Sequence, residues 1–389
     1  MHIGIAFEPS QSWLRTTIRG VTRYCNDHRP GWTLLPIWFA GIRGAGDAER
    51  ARRWGGIQVA GLLMAVNDQV HRLAFPKAAR VMLGEPRPGV TVDDPVVSTD
   101  QRALGTEAAD ELLRRGFRRL GAFTTADMRL PASQLKWLGF QEAARRHGIE
   151  PTRFVEGKRT RRRKRWRLDE QLLDLRDWLA DQPGPLGLMT SPPDHAWRAL
   201  VACQEAGLRV PEDVAIICAG DDDAMLPYTR PPLSGICEDS ERVGYEAARV
   251  LAKLMAGELA PPRVLVPPIG VLPRASTDVR AIEDPELSRI VSYIWQHVGE
   301  GLSVNDLLEA FPVARSSLLL RFKRELGRSP SDEIRRSRLE TAKRLLMTTD
   351  RPLRVVAIDS GYGSPSQLTR AIREATGRTP TQFRKQFRA

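Results

Sequence analysis

The last hundred residues carry one pattern twice. Leu302–Gly327 (LSVNDLLEAFPVARSSLLLRFKRELG) and Leu353–Gly377 (LRVVAIDSGYGSPSQLTRAIREATG) each read as a short helix, a tight turn and an Arg-bearing second helix. Both close on Gly, Arg, a hydroxyl residue and Pro: GRSP at Gly327–Pro330 and GRTP at Gly377–Pro380. Such a repeat predicts one helix-turn-helix per copy, each offering its second helix to an adjacent major-groove segment of duplex DNA. A plain helical bundle with a charged surface would not explain why both the pattern and its tail recur.

Local chemistry in the second copy supports this. Ser364 suits an N-cap and Pro365 the first helical position. Leu368, Ala371, Ile372 and Ala375 then fall on one face and are expected to pack inward. The candidate DNA-reading residues of this helix are Ser366, Gln367, Thr369, Arg370 and Arg373, because Gln and Arg read A and G edges in the major groove. Gly361 sits where the turn needs positive φ, with Tyr362 closing the core behind it. In the first copy Leu318 and Phe322 are expected inward, and Arg315, Ser316, Ser317 and Arg321 outward as candidate readers. Between the copies, Ser331–Met347 reads as one connecting helix with Ile334, Leu339, Ala342, Leu345 and Leu346 as its apolar stripe.

Charge follows the same division. The net charge is +12, and residues 286–389 hold 19 Lys+Arg against 11 Asp+Glu, about two-thirds of the excess in a quarter of the chain, as phosphate neutralisation requires. A second basic run, Lys158–Arg167 (KRTRRRKRWR), has eight basic residues in ten and reads as a solvated loop or a further phosphate contact. The four cysteines are scattered and form no CxxC pair, as for thiols kept reduced in the cytoplasm. The start MHIGIAFEP lacks the basic and apolar regions of a secretory leader, and the longest apolar run, near Val59–Val66, is too short to span a bilayer.

Upstream, short apolar runs alternate with amphipathic stretches. The runs are Ile3–Phe7, Thr33–Ile37, Ile57–Met64, Arg80–Leu83, Leu120–Phe123, Leu186–Met189 and Val214–Ala219. Helices are expected over Leu14–Asp27, Thr99–Arg115, Ser133–His147, Asp169–Ala180, Asp194–Ala206 and Ser240–Gly257. This alternation predicts parallel sheets covered by helices, and the length suits two lobes. Residues 1–280 therefore form the expected first domain, the polar stretch 281–286 (AIEDPE) a linker, and 287–389 the DNA-binding domain.

Residues 287–389 resemble the AraC/XylS family of transcriptional regulators, through RFKRELGRSP (Arg321–Pro330), RLETAKRLLMTT (Arg338–Thr349) and GYGSPSQLTRAIREATGRTPTQFR (Gly361–Arg384). Four positions depart from that pattern: Leu368 and Ile372 replace Phe, Pro312 replaces a turn Gly, and Ala314 replaces a hydroxyl cap. Residues 1–275 resemble the periplasmic-binding-protein-like sensor of LacI-type repressors. The carrying segments are VSTDQRALGTEAADELLRRGFRRLG (Val97–Gly121), GFQEAARRHGI (Gly139–Ile149), AGLRVPEDVAIICAGDDD (Ala206–Asp223) and PPLSGICEDSERVGYEAARVLAKLM (Pro231–Met255). The order of the two, and the junction LVPPIGVLPRASTD (Leu265–Asp278), are similar to the group of xylose-operon regulators.

The resemblance implies a two-lobed α/β sensor followed by an all-α domain with two helix-turn-helix units. It also implies a homodimer on double-stranded promoter DNA and a sugar effector such as xylose in the cleft between the lobes. Buried sugar hydroxyls need polar partners and a stacking surface at strand ends. Candidates are Glu8, Ser10, Trp13, Asp127, Lys136, Asp194 and Asp221. Gly220 and Pro193 stand where the family has Asp, with Asp221 and Asp194 one step on, and Lys136 stands where it has Arg.

No GxGxxG after the first strand, P-loop, GxSxG elbow or HExxH occurs, and no His has metal-ligand spacing, so neither a catalytic residue, a metal nor a cofactor is expected. Two other classes fit the residues. One is a basic architectural DNA binder with a vestigial pocket; the other is a sugar-binding or sugar-modifying protein whose tail is a tether.

Overall fold

In the computed structural model, all seven apolar runs overlap strands. The described residues are 1–7, 12–37, 56–65, 74–86, 93–126, 131–156, 168–220, 225–278 and 284–387. Strands β1 (His2–Ala6), β2 (Thr33–Pro36), β3 (Gly61–Ala65), β4 (Ala79–Leu83), β5 (Val96–Thr99) and β11 (Arg263–Val266) form the first sheet, in the order β11-β5-β4-β3-β1-β2 with every pairing parallel. The second sheet takes β6 (Arg119–Thr125), β7 (Thr152–Glu156), β8 (Leu186–Ser191), β9 (Val214–Cys218), β10 (Ser234–Cys237) and β12 (Gly270–Leu272), ordered β12-β10-β9-β8-β6-β7. Only β12 runs antiparallel to its neighbour. The central strands are buried along almost their whole length, which is why they read as continuous apolar runs.

Helices α1 (Ser12–His28), α2 (Gln101–Arg114), α3 (Pro131–Arg146), α4 (Leu168–Ala180), α5 (Pro193–Glu205) and α6 (Ser240–Met255) cover the sheets. Each lobe contains one helix pair crossing glycine against backbone. A Cβ on Gly20 of α1 would lie 1.8 Å from the Glu241 carbonyl oxygen, and one on Gly244 of α6 would lie 1.9 Å from that of Thr17. In the second lobe, Gly105 of α2 and Gly139 of α3 stand likewise, 1.8 and 2.0 Å from the carbonyl oxygens of Lys136 and Arg102. Asp100 caps α2 by accepting from Ala103 N at 3.0 Å, and Asp239 caps α6 from Arg242 N at 3.0 Å.

The chain crosses between the lobes three times, after β5, after β10 and between β11 and β12. The crossings are tied side by side: Asp100 N donates to Val266 O (2.7 Å) and Ile269 N to Cys237 O (2.9 Å). Strands β5, β7, β10, β11 and β12 were not expected from the sequence. Three to five residues carry too few alternations to be told from loop, and Thr99, expected to open a helix, closes β5 instead.

The C-terminal part comprises α7 (Pro285–Gln296), α8 (Val304–Ala310), α9 (Arg315–Leu326), α10 (Pro330–Thr348), α11 (Leu353–Asp359), α12 (Pro365–Thr376) and α13 (Pro380–Phe387). Two small cores share α10. One gathers Leu287, Ile290, Ile294, Leu307, Leu318 and Phe322 with Ile334; the other gathers Ala342, Leu346, Val356, Leu368, Ile372 and Phe383. The recurring GRxP tail is a helix stop followed at once by a helix start. Gly327 and Gly377 end α9 and α12 at φ 68° and 70°, Ser329 and Thr379 accept from backbone N–H groups of the next helix, and Pro330 and Pro380 open it. Hydrogen bonds from Ser329 hold the Asp332 carboxyl down at about 2. Ala371 is half-buried and Ala375 exposed, so the inward stripe of α12 is narrower than its periodicity suggests: Ala375 lies beyond the last turn that meets the core.

All four cysteines are free thiols, and burial pushes that of Cys203 up to about 12. No helix among the described residues is long and apolar enough to cross a membrane.

Candidate nucleic-acid interface and ligand cleft

Helices α9 and α12 occupy equivalent places in the repeat. Leu318 and Phe322 in α9, and Leu368 and Ile372 in α12, are fully buried. Residues two positions after or before these project to the opposite side, about 200° around the helix. In α12 that side carries Ser366, Arg370 and Glu374, flanked by Thr369 and Arg373, and together with Pro365 they line a shallow open groove. The Arg370 side chain is 82% exposed and pairs with Glu374 at 2.8 Å, one turn on. Ser364 caps α12 from Gln367 N, while the Gln367 side chain accepts from Gly363 N at 3.0 Å. The turn before α12 is made at Gly361, φ 76°, where a Cβ would meet Val298 O at 2.0 Å. Tyr362 packs against the second small core, as expected.

The first head is built differently. Its turn, Phe311–Val313, leaves the helix in extended backbone, and Ala314 gives α9 no side-chain cap. Arg315 and Ser316 are exposed, and Arg315 bonds the Asn305 side chain. Ser317 and Arg321 are half-buried rather than outward, because both lie about 100° from the buried Leu318 or Phe322, at the seam. Arg321 is ion-paired with Glu286 and, at 3.5 Å, Asp284, the N-cap of α7. The Arg of GRSP is spent internally too: Arg328 reaches the buried Glu333 at 2.7 Å, and Glu333 also accepts from Trp295 Nε1 at 3.1 Å.

At the crossings, several side chains converge. Lys136, nearly buried on α3, points its Nζ to 3.7 Å from Glu238 Oε1, and Glu238 Oε2 accepts from Thr99 Oγ1 at 3.2 Å. Gly220 lies beside them: a Cβ there would stand 3.5 Å from Glu238 Oε1, 3.6 Å from Lys136 Nζ and 3.9 Å from Pro193 Cγ. Thus Gly220 and Pro193 border the same small space as Lys136, and Glu238 brings a carboxylate to it. Thr99 and Glu238 were missed from the sequence. Each sits at the carboxyl end of a strand, β5 and β10, that was itself not recognised.

Of the other expected ligand residues, Trp13 is half-buried against the first lobe's core and Asp194 is exposed in the first turn of α5. Glu8, Ser10, Asp127 and Asp221 lie outside the described residues, as do the run Lys158–Arg167 and residues 281–283 of the stretch 281–286. Deeper in the second lobe, Glu156 at the end of β7 meets His195 Nε2 at 2.8 Å and Arg198, beneath the Phe123 ring that stacks on His195 at 4.0 Å. Burial raises the Glu156 carboxyl, but the bonds from His195 and Arg198 outweigh it and hold it below the usual carboxylate range.

The sensor and helical parts touch through α10. Leu272 of β12 packs against the second small core. Arg115, fully buried after α2, pairs with Glu111 and donates to Thr277 O. Burial alone would raise the Glu111 carboxyl, yet Arg115, Arg114 and, from α10, Arg336 bring it below its ordinary value. Burial in turn pushes Arg336 down to about 10 against the pull of Glu333, Glu340 and Glu111.

Comparison with known proteins adds independent findings. Residues 109–277 match the family model of a periplasmic binding protein-like domain, and residues 307–386 that of a helix-turn-helix domain. The xylose operon regulatory protein of Escherichia coli K12 is 31% identical over 211 residues, 54% of this chain and 54% of that protein. The chain thus spans about half the length of the curated relatives it first matches. The Haemophilus influenzae xylose operon regulatory protein is 26% identical over 306 residues, 75% of this chain and 74% of its own length. Among solved structures, that of the xylose-binding transcription activator xylR superposes with a TM-score of 0.61 at 25% identity, covering 99% of this chain and 97% of that one. The chain therefore joins a periplasmic binding protein-like domain to an AraC-type helix-turn-helix domain and is homologous to the xylose operon regulators.

Proposed function

We propose that this protein is a cytoplasmic, sequence-specific DNA-binding transcription regulator governed by a small-molecule effector, a sugar such as xylose. In this reading the sensor spans residues 1–280, the linker 281–286 and the reader 287–389. The observation that carries it is the pairing, on one chain, of two equivalent outward helix faces with a two-lobed fold whose crossings hold a Lys–carboxylate–hydroxyl cluster. The relatives are transcription regulators, and no catalytic step is proposed.

The reading heads are assigned Arg315, Ser316, Ser317 and Arg321 on α9, and Ser366, Gln367, Thr369, Arg370 and Arg373 on α12. Arg321 reaches DNA only by leaving its acidic partners. In the cleft, Lys136 and Glu238 offer a donor and an acceptor to neighbouring hydroxyls, as a polyol needs when water is excluded. Glu8, Ser10, Trp13, Asp127, Asp194 and Asp221 complete the proposed set. Two copies are proposed to act as a dimer on paired sites, so that lobe closure alters their spacing. A sugar shifts this equilibrium only by binding one arrangement better than the other.

The test is thermal unfolding of the full chain against pentoses, hexoses and sugar acids. An effector at about a hundred times its dissociation constant stabilises by about 2.7 kcal/mol, a clear rise in melting temperature. A rise with xylose identifies the effector, and a rise with another sugar keeps the mechanism and replaces the ligand. Unchanged melting with every sugar contradicts the sensor assignment and leaves a DNA binder with a vestigial pocket.

A further inference from the structure

The two heads present different chemistry at matched positions. Aligning the buried pairs sets Ser316 against Ser366, Leu319 against Thr369, Leu320 against Arg370, and Lys323 against Arg373. Where α12 offers a hydroxyl and a guanidinium, α9 therefore offers two leucines. They are not core residues: Leu320 is 67% exposed on the side away from Leu318 and Phe322, and Leu319, 49% exposed, lies about 100° from Leu318, at the edge of that side. Exposed Arg315, Lys323 and Arg324 lie beside them along the helix, Arg324 pairing with Glu325 at 2.8 Å and lying 3.8 Å from Asp284, so the apolar spot is small and has a basic rim. The arginine nearest in sequence, Arg321, is turned to Glu286 and Asp284.

An apolar spot inside a basic rim, at the place where the sister helix carries its groove-facing arginine, matches one feature of duplex DNA. The major groove offers a single apolar group, the thymine 5-methyl, flanked by phosphates. We infer that Leu319 and Leu320 are specificity-determining residues of the first head, which selects thymine by methyl contact while the second head selects by hydrogen bonds. The inference rests on the DNA-reading function proposed above and adds to it the kind of base each head prefers. A cationic rim fits a phosphate backbone, which distinguishes this occupant from an apolar protein partner.

The test uses the full chain and duplexes enriched from a random pool. Each thymine of the enriched site is then replaced singly by deoxyuridine, which removes only the methyl group. At one or two thymines on one side of the site, binding weakens about fourfold each, the value of one buried methyl-sized group. Leu320→Ala and Leu319→Ala, both at exposed positions, bind the deoxyuridine and thymine duplexes equally well there, with unchanged melting temperature and unchanged preference in the other half. Three results overturn the inference: deoxyuridine tolerated at every thymine, full methyl sensitivity kept by both leucine variants, or leucine variants that bind the site as well as the parent, which would make the spot a protein contact. Failure to enrich any sequence instead overturns the DNA-reading function itself.

Discussion

At the scale of single residues, the second head is the better-formed reader. Ser364 caps α12, Gly361 makes the turn that brings it beside Val298, and Arg370 stands on the helix face farthest from the core. The first head lacks the cap and the turn glycine, and its Arg321 is engaged elsewhere. On the proposed reading, base discrimination therefore concentrates in the second half of the site. Arg370→Ala is expected to cost about 1–3 kcal/mol on the preferred duplex and to relax selection at one base pair. Fluorescence anisotropy on matched and scrambled duplexes checks this. An equal loss on both would make Arg370 a phosphate contact.

At the scale of elements, legibility tracked how much structure a segment holds by itself. The recurring GRxP tail was visible because a helix stop and a helix start are local chemistry: glycine at positive φ, then a hydroxyl cap, then proline. The long strands and helices were visible through burial on both faces or on one. Short strands were not, since β10 and β12 gain their identity from neighbours distant in sequence, and Glu238 was lost with them. Nor could α12's narrower stripe at Ala375 be read from spacing alone. The helix crossings have the same non-local character, as nothing near Gly105 announces that Lys136 O lies where its Cβ would be. Gly105→Ala should force α2 from α3, cost about 2–3 kcal/mol and shift the Lys136 backbone beside the cleft. Thermal unfolding should show this loss, whereas Gly56→Ala, with nothing within 4 Å of its added Cβ, should melt like the parent. Equal melting of the two variants would contradict the close crossing.

At the scale of the whole molecule, the three lobe crossings, the cleft cluster and the helical part are physically continuous. Thr99 and Glu238 belong to two crossings, Lys136 joins them, and β12 follows the third crossing and sets Leu272 against the second small core. The buried Glu111–Arg115 pair at the end of α2 grips Thr277 and lies within the field of Arg336 and Glu340 on α10. Helix α10 in turn carries both heads. The proposed lobe closure would act on the two reading faces through these contacts with α10. The proposed function requires that a sugar in the cleft changes the grip on DNA. Its most direct measurement is the affinity of the full chain for its enriched duplex, by anisotropy at fixed salt, without sugar and with each sugar of the panel at saturation. One sugar is expected to change affinity by about 5- to 150-fold, the range of ordinary allosteric coupling, and the same duplex to change sugar affinity by the same factor. Affinity unchanged by every sugar would contradict it.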